Sequence, residues 1–242
     1  MSAHPTADET VLLRHNKIDL ALHLLRPEPA ATARSTRPLL LLPALGDRSP
    51  AAVPDWCAEW PGVIAALDFT GHGDSTVPAG GGYSVETLLA DADHALAHLT
   101  ADQPDDSASI TVLGRGLGAY VALQLAGARA SEVHGAILTD GPGLAGGPTG
   151  PSSQSFFSLD TDGTAPDPYG LVELGRDLRP ADYALSFVTL AMAASPASSP
   201  ISVASVFRPT WLAAVTDAPG VVESTVDEAL SSYAESTPST PV

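Results

Sequence analysis

The stretch ITVLGRGLGAYVALQLA, residues 110–126, decides how this chain of 242 residues is read. It opens with apolar and β-branched residues, the composition of a short strand buried on both faces. Glycines follow at 114, 116 and 118, and from Leu117 onward the sequence reads as an amphipathic helix. Strand, glycine turn and helix in direct succession make the first half of a parallel crossover unit.

Working outward, the neighbouring segments repeat the alternation. VHGAILTD (residues 133–140) is the next strand. Upstream, YSVETLLADADHALAHL (83–99) sets Val85, Leu88, Leu89, Ala92, Leu96 and Leu99 close to helical spacing. Ser84 stands as its N-cap, with Thr87 where a capping box prefers Glu or Gln. GVIAALDFTGHGDS (62–75) is an apolar strand running into a glycine-rich turn, and PLLLLPALGD (38–47) opens with an apolar run that Pro43 ends. VLLRH (11–15) and KIDLALHLL (17–25) alternate around Asn16 and Lys17 and form an antiparallel pair. Alternation from 38 to 140 predicts an α/β fold, a mostly parallel sheet with helices on both faces.

Beyond 140 the pattern loosens. Residues 141–167, rich in Gly, Pro and Ser, read as a long loop and 180–194 as a helix behind Arg179-Pro180. RPTWLAAVTD (208–217) reads as the last strand and 221–233 as the last helix. The expected organisation is one domain over 1–242, with mobile tails at 1–10 and 236–242 and a loop or cap-like insertion at 141–205.

Composition narrows the chemistry. Charged residues make up 16% and the formal charge is −17, which repels phosphate backbones and anionic membrane surfaces, so neither nucleic acid nor membrane is an expected partner. Lys17 is the single lysine, and it does not follow a glycine-rich loop as a P-loop lysine does. Cys57, the single cysteine, excludes an internal disulfide. With no apolar run near 18 residues and a polar amino terminus, the expected location is the cytoplasm.

Three blocks, PLLLLPALGDRS, ALDFTGHGDS and LGRGLGAYVAL, in this order resemble the α/β-hydrolase family over roughly the first 140 residues. The middle block resembles that family's D-x-x-G-H-G-x-S turn. The last has the spacing of the G-x-S-x-G nucleophile elbow, with Gly116 at the serine position. The resemblance implies a serine at the elbow, an acid after a later strand and a downstream histidine. Here no histidine follows His134; Asp140 and Asp217 stand at expected strand ends without a histidine to orient. The family's last strand, before that histidine, is expected to be missing. Pro43 and Ala44 occupy the places of the family's His-Gly, leaving Ala44 or Leu45, together with Leu117, to offer N–H groups to a carbonyl or anion.

The expected ligand-binding residues are therefore Ala44, Leu45, Gly116 and Leu117, with no catalytic set, metal or cofactor. The expected function is binding of a small molecule or protein partner on a hydrolase fold. Two alternatives stand beside it. One is an active, esterase-like hydrolase with a relocated nucleophile such as Ser75 or Ser84, or a water positioned by Asp68 or His72. The other is a nucleotide-binding protein, because Gly114-x-Gly116-x-x-Ala119 fits a dinucleotide fingerprint, with Glu132 or Asp140 as the acidic residue. His72 reads as a turn residue and Cys57 as a small apolar side chain. His94 and His98, with Asp91 on the same face, read as a solvated helix surface rather than a metal site.

Overall fold

The computed structural model describes residues 9–15, 17–29, 37–103, 108–147 and 163–235. Of the expected tails at 1–10 and 236–242, residues 1–8 and 236–242 lie outside them, as do 148–162 of the expected loop, whereas Glu9 and Thr10 belong to the first strand.

Eight strands form one sheet: β1 (Glu9–His15), β2 (Ile18–Arg26), β3 (Leu39–Leu42), β4 (Ile64–Leu67), β5 (Ile110–Arg115), β6 (Val133–Thr139), β7 (Ile201–Ala204) and β8 (Val222–Glu223). Their order across the sheet is β1-β2-β4-β3-β5-β6-β7-β8. β1 and β2 form an antiparallel pair, and β2 runs antiparallel to β4. From β4 to β8 every pairing is parallel. The central strands are fully buried runs such as LLLL and IAAL, as a sheet covered on both faces requires.

One face carries α1 (Val85–Thr100), α2 (Leu117–Ala128), α4 (Ala181–Ala194) and α5 (Thr210–Thr216), whose apolar sides join Leu40, Leu42 and Val112 in the larger core. α3 (Pro168–Arg176) contributes Leu174 to it. The opposite face is covered by a single 3-10 turn, Asp55–Cys57, and α6 (Val226–Glu235), over Leu39, Leu41, Leu113 and Ile137. Helices on both faces and a mostly parallel sheet agree with the expected fold class.

Four details differ from the sequence reading. α2 is not amphipathic: eleven of its twelve residues are buried, because α1 and α4 close over the side away from the sheet. Residues 208–217 form α5 instead of a strand, since Trp211, Leu212 and Val215 fall on one helical face and all pack into the core. The strand is ISVA just upstream, four residues long and too short to separate from a helix by periodicity. The stretch 141–205 therefore ends in a strand of the main sheet. The eighth strand, expected to be missing, is present as two residues paired to β7, inside the stretch read as the last helix.

Candidate functional site

The carboxyl ends of β3 and β5 meet at the point where the chain order of the sheet reverses, the usual place for a site in an α/β sheet. Gly116 joins β5 to α2 there with φ 54° and ψ −113°. This is a backbone state that glycine adopts without steric cost and that strains any residue bearing a Cβ. Gly114 and Gly118 serve a different need. A Cβ on Gly114 would lie 2.1 Å from the Gly118 carbonyl oxygen, and one on Gly118 would lie 2.6 Å from that of Leu42, so both let α2 sit tightly against the strands.

The space above the elbow is filled. Residues 141–144, leaving the end of β6, cross over Gly116 as a strap. A Cβ on Gly116 would lie 2.1 Å from the Pro142 carbonyl oxygen and 2.6 Å from the Gly141 carbonyl carbon. Leu117 N–H and Leu45 N–H both donate to the Pro142 carbonyl, at 3.0 and 3.1 Å. Leu117 and, of the pair Ala44 and Leu45, Leu45 are donors the sequence offers to a ligand carbonyl, and here they converge on one oxygen. That oxygen belongs to the chain itself. Ala44 is fully buried, and its carbonyl accepts from Asp47 N–H.

The strap is held from its far side. Arg179 Nη1 donates to the carbonyls of Gly143 and Leu144, and Trp211 Nε1 donates to Leu144 at 2.8 Å. Burial draws the Arg179 guanidinium down to about 10. Neither Pro142, Arg179 nor Trp211 is marked by the sequence as part of a site. Gly-Pro-Gly at 141–143 signals a turn, but nothing in it says where the carbonyl points.

Asp140 ends β6 and accepts from Ser205 Oγ (2.5 Å), Val206 N–H (2.7 Å) and Phe207 N–H (3.0 Å). Burial pushes its carboxyl up, but these bonds outweigh it and hold the group below the usual carboxylate range. Its oxygens pin the turn after β7. Asp217 caps α5 instead of ending a strand. His134 is buried near the amino end of β6, the opposite end of the sheet from the elbow, and T-stacks on Tyr233.

The other candidate groups are occupied by the fold. Asp68 accepts from Ser49 N–H (2.6 Å) and Asp74 N–H (2.8 Å) and lies 3.0 Å from His23 Nε2. His23, Asp68 and Asp74 are close enough to share a cation, but these contacts already engage both oxygens of Asp68, and Arg48 pairs with Asp74. His72 is buried, its Nδ1 3.2 Å from the Thr70 carbonyl, and burial lowers its pKa. Ser75 Oγ donates to the Asp68 carbonyl and accepts from Ala21 N–H, while Ser84 caps α1 through Thr87 N–H. Cys57 is buried, its thiol pushed up to about 11. Asp91 is buried and accepts from Thr70, His98 is exposed, and His94 stacks on His15 with ring centres 4.0 Å apart. Glu132 pairs with Arg129 at the amino end of β6, at the wrong end of the sheet for a ribose beside Gly116.

Open space lies on the other side of the elbow. A cleft of about 290 Å³ is lined by Leu41, Pro43, Pro50, Trp56, Ala66 and Leu113, with Arg48 and Arg115 beside them. Leu113 and Arg115 share a face of β5 by strand alternation, which places Arg115 over the apolar floor. Arg48 pairs with Asp74 at 2.9 Å and Arg115 with Asp47 at 3.3 Å, both exposed. No helix among the described residues is long and apolar enough to cross a membrane.

A family model described as serine aminopeptidase, S33, matches residues 58–157, which include the elbow. No curated protein matches the chain. Among solved structures it is similar to the thioesterase domain from the curacin biosynthetic pathway, at 15% identity and TM-score 0.63 over 95% of this chain and 98% of that one. It is also similar to Est1E from Butyrivibrio proteoclasticus, solved with ferulic acid bound, at 13% identity and TM-score 0.58 over 93% and 96%. A probable hydrolytic enzyme from Pseudomonas aeruginosa aligns over 53% of this chain and 39% of its own length, at 20% identity and TM-score 0.43. With this strand order and its elbow at the end of β5, the chain has the α/β-hydrolase fold.

Proposed function

We propose that this protein binds a small molecule or a protein partner without hydrolysing it through the elbow. The observation that carries the reading is the Pro142 carbonyl, 2.1 Å from where a Gly116 Cβ would stand. A nucleophile has no atom and no room there. The two N–H groups that would stabilise an oxyanion are spent on that same carbonyl. Asp140, the acid at the family's place, spends its oxygens on the turn after β7.

Binding then moves from the pocket expected above Gly116 to the cleft beside it. Its size and apolar floor suit a small amphipathic molecule, and Arg48 and Arg115 favour one with an anionic end. Both arginines also pair with carboxylates, Arg48 with Asp74 and Arg115 with Asp47, so a bound anion shares them with those partners.

The test is the intact mass of the folded chain after treatment with a broad fluorophosphonate, alongside turnover of p-nitrophenyl esters. An unchanged mass and background turnover are expected. A stoichiometric adduct, or saturable turnover, overturns the reading. Trp56 is 39% exposed on the cleft wall, so its fluorescence reports occupancy when short-chain fatty acids are titrated in.

A further inference from the structure

Arg179 lies between α3 and α4 and is 2% exposed. It forms no ion pair with any described carboxylate. Asp177, two residues away, acts on it only at a distance. Nη1 is taken by the carbonyls of Gly143 and Leu144, whereas Nε and Nη2 have no hydrogen-bond partner. Those two N–H groups point the same way from one edge of the guanidinium. They form the fork that clasps two oxygens of a carboxylate or a phosphate.

The neighbouring polar groups are buried as well. The Arg179 Cζ stands 5.1 Å from the centre of the Tyr120 ring. The Tyr120 hydroxyl and the Gln124 amide, one turn further along α2, are buried beside each other with no partner outside that pair. Trp211 packs edge-on against Tyr120, with ring centres 4.9 Å apart. Of ten buried side-chain polar atoms with no well-formed hydrogen bond among the described residues, five belong to Arg179, Tyr120 and Gln124. The others are Ser49 Oγ, His72 Nε2, Thr111 Oγ1 and both ring nitrogens of His134, none of them on a charged fork. A buried guanidinium with two free donors is a costly arrangement unless an opposite charge fills it.

We propose that Arg179, Tyr120 and Gln124 form a buried oxyanion site that takes the two-oxygen face of a carboxylate or a phosphate. The Nε–Nη2 fork holds two oxygens, and the Tyr120 hydroxyl and Gln124 Nε2 donate to the remaining lone pairs. The site is distinct from the cleft beside Arg115 and does not depend on it. Because Nη1 of the same guanidinium anchors the strap at Gly143 and Leu144, a filled site also fixes the group that keeps the elbow covered.

The experiment is equilibrium dialysis of the whole chain in chloride buffer at fixed ionic strength, with radiolabelled inorganic phosphate in one arm and acetate in the other. Saturable uptake of one anion per chain is expected, and the arm that saturates identifies the source. R179K keeps the charge and loses the fork, so it should bind at least tenfold more weakly; Y120F should bind several-fold more weakly. Where R179K does not fold, Y120F and Q124L give the same reading. Native mass spectrometry of the freshly purified chain registers an anion retained from the start, which also counts as a filled site. No uptake in either arm with no retained anion overturns the proposal, as does equal uptake by the wild type and the folded variants.

Discussion

Restoring a side chain at the elbow should harm this protein. In Gly116→Ala, the new Cβ meets the Pro142 carbonyl oxygen at 2.1 Å and the Gly141 carbonyl carbon at 2.6 Å, so the strap must move. Backbone atoms cannot step aside as a flexible side chain does. Overpacking of this kind costs about 1–3 kcal/mol. Forcing φ 54°, ψ −113° on a residue with a Cβ adds roughly 1–3 kcal/mol. The sum is about 2–6 kcal/mol, a large share of a typical domain's stability. A control within the same chain separates the two contributions. Gly82 also has positive φ, 84°, but a Cβ there meets nothing within 4 Å, so Gly82→Ala carries a positive-φ cost without a clash. Urea unfolding of the wild type and both variants gives the stabilities. Gly116→Ala should fall below Gly82→Ala by about 1–3 kcal/mol, the overpacking share. Equal losses, or wild-type stability in Gly116→Ala, would refute the filled elbow. Gly116→Ser should be equally destabilised and still hydrolyse no ester.

Further outcomes follow from the buried polar groups. Burial pushes the Asp91 carboxyl up to about 6, and burial together with the Arg37 charge draws His134 down to about 4. As pH falls, the unfolded chain protonates His134 before the folded one does, so stability is lost between about 6.5 and 4. The folded chain protonates Asp91 before the unfolded one does, so stability is regained between about 6 and 3.8. The two offset each other. Asp91→Asn removes the gain, so its urea midpoint should drop more than the wild type's from pH 7 to 4.5, by about 2 kcal/mol; equal drops would refute the assignment. Asp140→Asn leaves donors in the turn after β7 without a full set of acceptors, at a cost of about 1–3 kcal/mol, and amide exchange at Val206 and Phe207 should quicken selectively. Trp211→Phe keeps the ring against Tyr120 but loses the donor to Leu144, at about 1–2 kcal/mol, with faster amide exchange at Leu45 and Leu117 as the strap loosens.

Much of the fold was legible because its signals are local. Apolar runs such as LLLL at 39–42 and IAAL at 64–67 declare buried strands by composition alone, and Ser84 declares the start of α1. The carboxyl-terminal part was harder because its strands have four and two residues. So short a segment carries no period. Trp211, Leu212 and Val215 satisfy a strand's hydrophobicity as well as a helix's until the neighbours that bury them are known.

At the site, the division falls on the direction of long-range contacts. The sequence by itself determined that glycine stands at residue 116 and that no histidine follows His134, and it offered Ala44 or Leu45, together with Leu117, as donors. Those follow from residue identity and from a turn confined to a few positions. Only the tertiary structure decided what the donors hold. A carbonyl at residue 142, carried over the elbow from the end of β6 and clamped by Arg179 and Trp211, depends on residues 26 to 95 positions away from Gly116. Every non-terminal residue carries a carbonyl, so residue identity alone cannot say which one will point inward. The packing of the chain against itself sets that direction.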